Sequence, residues 1–208
     1  MQREWTLELR HSIREIGLGL RRPEELVTRW RDRQPGQLGQ PAAAPHPLIF
    51  PVLLLNAVAG IAAYGLIMQL HIGAGAMLAS AFKATLAAGA AWTLALPALY
   101  IINSALGSRL DLSTTVLAAL ATVSFGAMAM LASVPITWFF SLALPYAPVR
   151  LLVNVVVFAG VGVAMTDVFI RALKALEPER SAVYGYVWVA LVGWLGCQLF
   201  FLLGVFRF

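Results

Sequence analysis

Charge is what this sequence has least of. Only 12% of its 208 residues are charged and 60% are hydrophobic, where a soluble domain carries about 25% charge. A chain of this length cannot hide so much apolar surface in a core of its own. That excludes an ordinary water-soluble globule and makes a bilayer the natural solvent. Cysteine is nearly absent: Cys197 stands alone, so no disulfide closes within one chain and no cysteine-based metal site exists. His11, His46 and His71 are too dispersed to gather as ligands. The opening MQREWTLELR holds acids and no apolar run, so no secretory leader is expected there. No phosphate-cradling glycine loop, nucleophile elbow or HExxH pair occurs, and Gly17-Leu18-Gly19 lacks the further glycine and the preceding strand of a dinucleotide loop. The expectation is a chain without enzymatic activity, cofactor or metal.

What the sequence has is long apolar runs. They cover roughly 48–68, 83–106, 113–140, 151–173 and 184–206, each near the ~20 residues that cross a bilayer as a helix. The clearest lies between Lys83 and Arg109, 25 residues without a charged side chain. The expected fold is all-α: a polytopic membrane bundle of five transmembrane helices, N-terminus cytoplasmic, preceded by an amphipathic arm. The expected divisions are a basic arm (1–33), a Pro/Gly linker (34–47) and the transmembrane domain (48–208). Residues 69–81, QLHIGAGAMLASA, are uncharged and read equally as loop, helix extension or re-entrant segment.

In the arm, Trp5, Leu9, Ile13, Ile16 and Leu20 recur at helical spacing. Pro23 opens a second helix with Glu24 and Glu25 in its first turn and Arg29, Arg31 and Arg33 near its end, which suits the helix dipole. Trp5, Leu9, Ile13, Arg21, Arg22 and Trp30 are the candidate contacts to a partner or to lipid. Eight of the fifteen basic residues fall in the first 33 positions. With the N-terminus inside, only Lys83, Arg150 and Arg207 fall outside, a strong positive-inside bias. The excess reads as a flank facing anionic lipid and not as a nucleic-acid site. The expected partners are the bilayer itself and other membrane or cytoplasmic subunits met through the arm.

Asp167 lies well inside the fourth run, four residues before Arg171. An intramembrane carboxylate is a functional hypothesis by default, and an interfacial i,i+4 ion pair is the structural alternative. Asn56 and Asn103 fall at a similar depth in the first two runs, so Asn56, Asn103, Asp167 and Arg171 form a candidate intramembrane polar cluster. Helix-locking hydrogen bonds are the plainer role for the two asparagines. Gln198 is expected to bond across a helix interface. Trp138, Tyr184, Tyr186 and Trp188 read as interfacial belts, and Pro97 and Pro135 as static kinks. The Lys83–Arg109 span reads as the central packing helix.

The run FKATLAAGAAWTLALPALYIINSALGSRL, the LASVPITWFF block and the closing GCQLFFLLGVFRF resemble a family of uncharacterised bacterial multi-span proteins. Its members tend to read K-x-P-L…LPxLYxxNxxLGSRL, then a Pro-containing span, then GxQL before an Arg-Pro-Phe-like tail. This chain has Thr85 where that pattern has proline, and ends Phe206-Arg207-Phe208. Some members carry an actin-binding label that no residue here supports. The resemblance covers roughly 48–208 and implies an inner-membrane location without an established activity. The five-span layout is also similar to that of Yip-type proteins, on layout alone. Two functions are expected from these features: a non-enzymatic anchor, scaffold or accessory subunit, or a small transporter or channel subunit built on the polar cluster.

Overall fold

The computed structural model describes residues 17, 22–32, 47–105, 107–108, 110–144 and 146–205. Trp5, Leu9, Ile13 and Arg21, and nearly all of the 34–47 linker, lie outside them. The described residues contain six successive helices: α1 (Pro23–Arg31), α2 (Ile49–Met68), α3 (Ala74–Ala105), α4 (Leu112–Ala143), α5 (Ala147–Leu176) and α6 (Val183–Leu202). No described residue is in a strand. Helices α2 to α6 are each long and apolar enough to cross a membrane. The five apolar runs are therefore five helices, the described residues are all-α, and the five fit a multi-pass membrane protein.

Local chemistry sets the helix boundaries. Pro23 and Pro148 stand in the first turns of α1 and α5, where a missing N–H costs nothing. The Asp111 carboxylate accepts from the amides of Ser113 and Thr114 and caps α4. Beyond α3 the chain turns at Gly107 (φ +82°), and the Ser108 amide returns to the Asn103 carbonyl at 2.9 Å, a Schellman closure. Helices α3 and α4 continue through Pro97 and Pro135. The ambiguous 69–81 segment divides in two. A turn at Gln69–Gly73 ends α2, and the residues from Ala74 onward extend α3.

The central helix is α4, not the Lys83–Arg109 span. Of its most apolar window 56% is buried, against 22% for α3. Small residues make this possible. Ala118, Ala119, Ala121, Gly126 and Ala127 leave α4 narrow on several sides, so neighbours approach closely and gain dispersion contacts that lipid tails cannot supply as densely. At Gly60 of α2 an added Cβ would lie 2.6 Å from the Ala127 carbonyl oxygen. Gly65 plays the same part against α3, where a Cβ would meet Ala81 Cα at 2.7 Å.

The long helices alternate in direction. The starts of α2, α4 and α6 share one end of the bundle with the ends of α3 and α5, and α1 is seated on that end. Leu26 and Val27 are fully buried there against Ile49 and Leu53 of α2, Leu117 and Ala118 of α4, and Ala172 and Leu176 of α5.

Candidate functional site

At the α1 end, polar contacts fasten what the apolar residues bury. Trp30 Nε1 donates to Ser113 Oγ at 3.0 Å, and its ring meets Phe50 edge-on at 5.0 Å. The Arg31 guanidinium donates to the Leu176 carbonyl at 2.9 Å, a cation at the C-terminal end of α5. Trp30 thus turns its indole N–H and one ring edge toward the bundle. Arg22 does the opposite: it is exposed and pairs with Glu25 at 2.6 Å.

Asp167 and Arg171 form the i,i+4 pair that their spacing allows, at 2.9 Å. The Asp167 side chain is 68% exposed, and Arg171 also reaches Glu24 of α1 at 3.3 Å. This ion pair therefore lies along the seam between α5 and α1. Asn56 is half-buried and donates to the Ser124 carbonyl (3.1 Å) and hydroxyl (2.6 Å), joining α2 to α4. Asn103 is buried and lines a recess of about 20 Å³ with Lys174, Glu177, Arg180 and Tyr184. Glu177 ties that corner together, accepting from Ser108 Oγ at 2.8 Å and pairing with Arg180 at 2.9 Å. Asn56, Asn103 and Asp167 thus stand in three separate settings, with no hydrogen bond joining them among the described residues. Only Asp167 and Arg171 are in contact.

Two other expectations are corrected. Trp188 belongs to the core: it is 3% exposed, stacks on Phe169 at 4.5 Å and donates to the Ala95 carbonyl at 3.2 Å. Its indole N–H finds a backbone acceptor inside the bundle, so no headgroup is needed to satisfy it. Gln198 is exposed on α6 and makes no hydrogen bond among the described residues, because its helix position turns it away from α3.

A buried polar network that the sequence reading passed over occupies the far end of the bundle. Tyr64 Oη donates to Asn154 Oδ1 at 2.8 Å and accepts from Thr137 Oγ1 at 3.1 Å. Asn154 Nδ2 donates to the Arg150 carbonyl at 2.8 Å. Tyr64, Thr137 and Asn154 are each 1% exposed, and together they join α2, α4 and α5. Arg150 itself is buried, and its Nε finds no acceptor among the described residues. In the nearby α2–α3 turn, burial and then the charge of Arg150 hold His71 below its usual pKa. The sequence signal for this network is Arg150 and Asn154, four apart on one helix face.

Next to this network a cleft of about 400 Å³ opens among α3, α4, α5 and α6. Trp92, Met130, Phe158, Met165, Val189 and Gly196 are among its lining residues. Its one lining hydroxyl, Thr122, is spent on the Ala118 carbonyl at 2.8 Å. The described residues hold no cluster of three or more metal-ligating side chains. No family model matches the chain, and neither a characterised protein nor a solved structure matches it significantly.

Proposed function

We propose that the chain is a non-enzymatic integral membrane scaffold or accessory subunit that displays α1 to other subunits. The observation that carries this reading is the docking of α1. Leu26, Val27, Trp30 and Arg31 are committed to the bundle, while Arg22 and Arg29 remain at the surface, 66% and 48% exposed. A short helix held in this way presents a charged face at fixed geometry, and preorganisation lowers the cost of binding a partner. Twelve of the fifteen basic residues fall at or before the α1 end. The positive-inside rule supports a cytoplasmic face for that end. The resemblance of LPALYIINSALGSRL supports a bacterial inner membrane.

A transporter would use Asn56, Asn103 and Asp167 around one water-filled path, and their three separate settings favour the scaffold. The test is purification of the full chain in mild detergent beside Leu26→Asp and a deletion of residues 1–33. A protein that copurifies in fixed ratio with the native chain, and is lost from both variants, supports the reading. Equal recovery from all three contradicts it.

A further inference from the structure

Among the described residues Arg150 is the one buried cation, and no described aspartate or glutamate lies at its end of the bundle. All ten aspartates and glutamates precede residue 33, occupy position 111, or lie at 167 and beyond. Those among the described residues, on or beside α1, at Asp111, at Asp167 and just beyond α5, belong to the α1 half of the bundle. Arg150 is only 8% exposed, and its Nε lacks an acceptor. A guanidinium nitrogen buried without an acceptor is costly, and an anion brought to that side chain from outside the chain would offset the cost.

The cleft supplies the other half of a ligand. Its walls are hydrocarbon, and its volume falls within the ~300–1,000 Å³ common for ligand sites. It is elongated along the bundle. On α5 its lining runs from Val155 to Met165 and on α6 from Val189 to Phe200, or about 15 and 16.5 Å at ~1.5 Å per residue. Helix α6 packs mainly on α3 and little on α5, which leaves the α5–α6 side of the cleft without a close seam.

The polar network and the apolar cleft meet where Tyr64 touches Phe158. Phe158 lines the cleft, and its ring meets Tyr64 edge-on at 5.6 Å. The Tyr64 hydroxyl holds Asn154, which holds the Arg150 carbonyl. Along α5, Arg150 stands about 7.5 Å beyond Val155, the first cleft residue, toward the far membrane surface. Headgroup and chain of one amphiphile require that order. A zwitterionic headgroup would bring a cation to an end where the described residues offer it Lys83, Arg150 and His71 and no aspartate or glutamate, so a net negative headgroup fits better.

We propose that Arg150 and the α3–α6 cleft form a binding site for an anionic phospholipid, its phosphate on the Arg150 guanidinium and an acyl chain in the cleft. The site lies at the end opposite α1 and holds whether or not α1 recruits a partner.

The experiment is native mass spectrometry of the full chain in detergent, titrated with phosphatidylglycerol or phosphatidylcholine. Arg150→Gln removes the charge, Arg150→Lys keeps it, and Gly196→Leu fills the cleft. A Cβ at Gly196 meets nothing within 4 Å, so that side chain enters open space. The native chain is expected to retain phosphatidylglycerol about tenfold better than phosphatidylcholine, the scale of one charge-assisted contact. Arg150→Gln should erase the preference, Arg150→Lys should keep part of it, and Gly196→Leu should lower retention of both lipids. Inorganic phosphate should compete weakly, because it lacks the chain. The proposal is overturned if Arg150→Gln keeps the preference, if Gly196→Leu leaves lipid retention unchanged, or if inorganic phosphate displaces the lipid fully. Should Arg150→Gln fail to fold, loss of preference in a folded Arg150→Lys would also overturn it.

Discussion

Trp30 of α1 donates its indole N–H to the Ser113 hydroxyl at 3.0 Å, and that hydroxyl in turn donates to the Asp111 carboxylate that caps α4. The relay connects the short surface helix to the first turn of the most buried helix. Where α1 sits and how α4 begins are therefore a single arrangement.

Asp111 gives the relay a pH signature. Burial pushes its carboxyl up, but hydrogen bonds from Ser113 and Thr114 outweigh that and leave it below its ordinary 3.8. Because the folded value is depressed, the stabilisation is complete above pH 3.8 and is lost as pH falls through the folded value. Asp111→Ala should cost about 0.5–2 kcal/mol, the worth of an N-cap. Asp111→Asn should keep most of the cap and lose the acid limb. Thermal melts of the three proteins between pH 3 and 7 distinguish these outcomes, and identical acid limbs would refute the assignment.

Close backbone approach predicts a contrast between two glycines. Gly60→Ala drives a methyl against the Ala127 backbone and should destabilise by about 1–3 kcal/mol, the usual cost of overpacking. At Gly160 a Cβ meets nothing within 4 Å. Gly160→Ala should be neutral or stabilising by up to about 1 kcal/mol, since glycine is a poor helix former. Unfolding of both variants in mixed micelles measures the difference, and equal stability would contradict the α2–α4 packing.

The Glu24–Arg171–Asp167 group should matter little to stability. All three side chains are substantially exposed (32%, 43% and 68%), and exposed ion pairs are worth about 0–1 kcal/mol. A double-mutant cycle of Glu24→Gln and Arg171→Gln should give a coupling below about 1 kcal/mol that shrinks with salt. A larger coupling that survives salt would show a desolvated pair instead.

The five spans were legible because a bilayer leaves one signature, an unbroken apolar run, which hydropathy alone detects. Hydropathy does not say which apolar face meets protein and which meets lipid. For that reason α4 was not recognised as the centre and Trp188 was placed in an interfacial belt. The same blindness put Gln198 in a helix interface, whereas its side of α6 faces outward. Asn56 and the Asp167–Arg171 pair were found because each is conspicuous in its own run. Tyr64, Thr137 and Asn154 were not, since each is ordinary alone and their bonds join residues 73 and 90 positions apart. The uncharged 74–81 stretch lacked only a start signal, which the turn at Gly73 (φ +131°) supplies.

The docked α1 is the claim on which the scaffold reading rests. Hydrogen exchange of the amides in residues 23–31, in the intact chain reconstituted in lipid nanodiscs, tests it most directly. Burial of Leu26 and Val27 and the Trp30 and Arg31 contacts predict slow exchange in the native chain. Leu26→Asp should release α1 to fast exchange while α2 to α6 stay protected. Exchange of the native α1 at the rate of a free peptide, or equal protection in Leu26→Asp, would contradict the account.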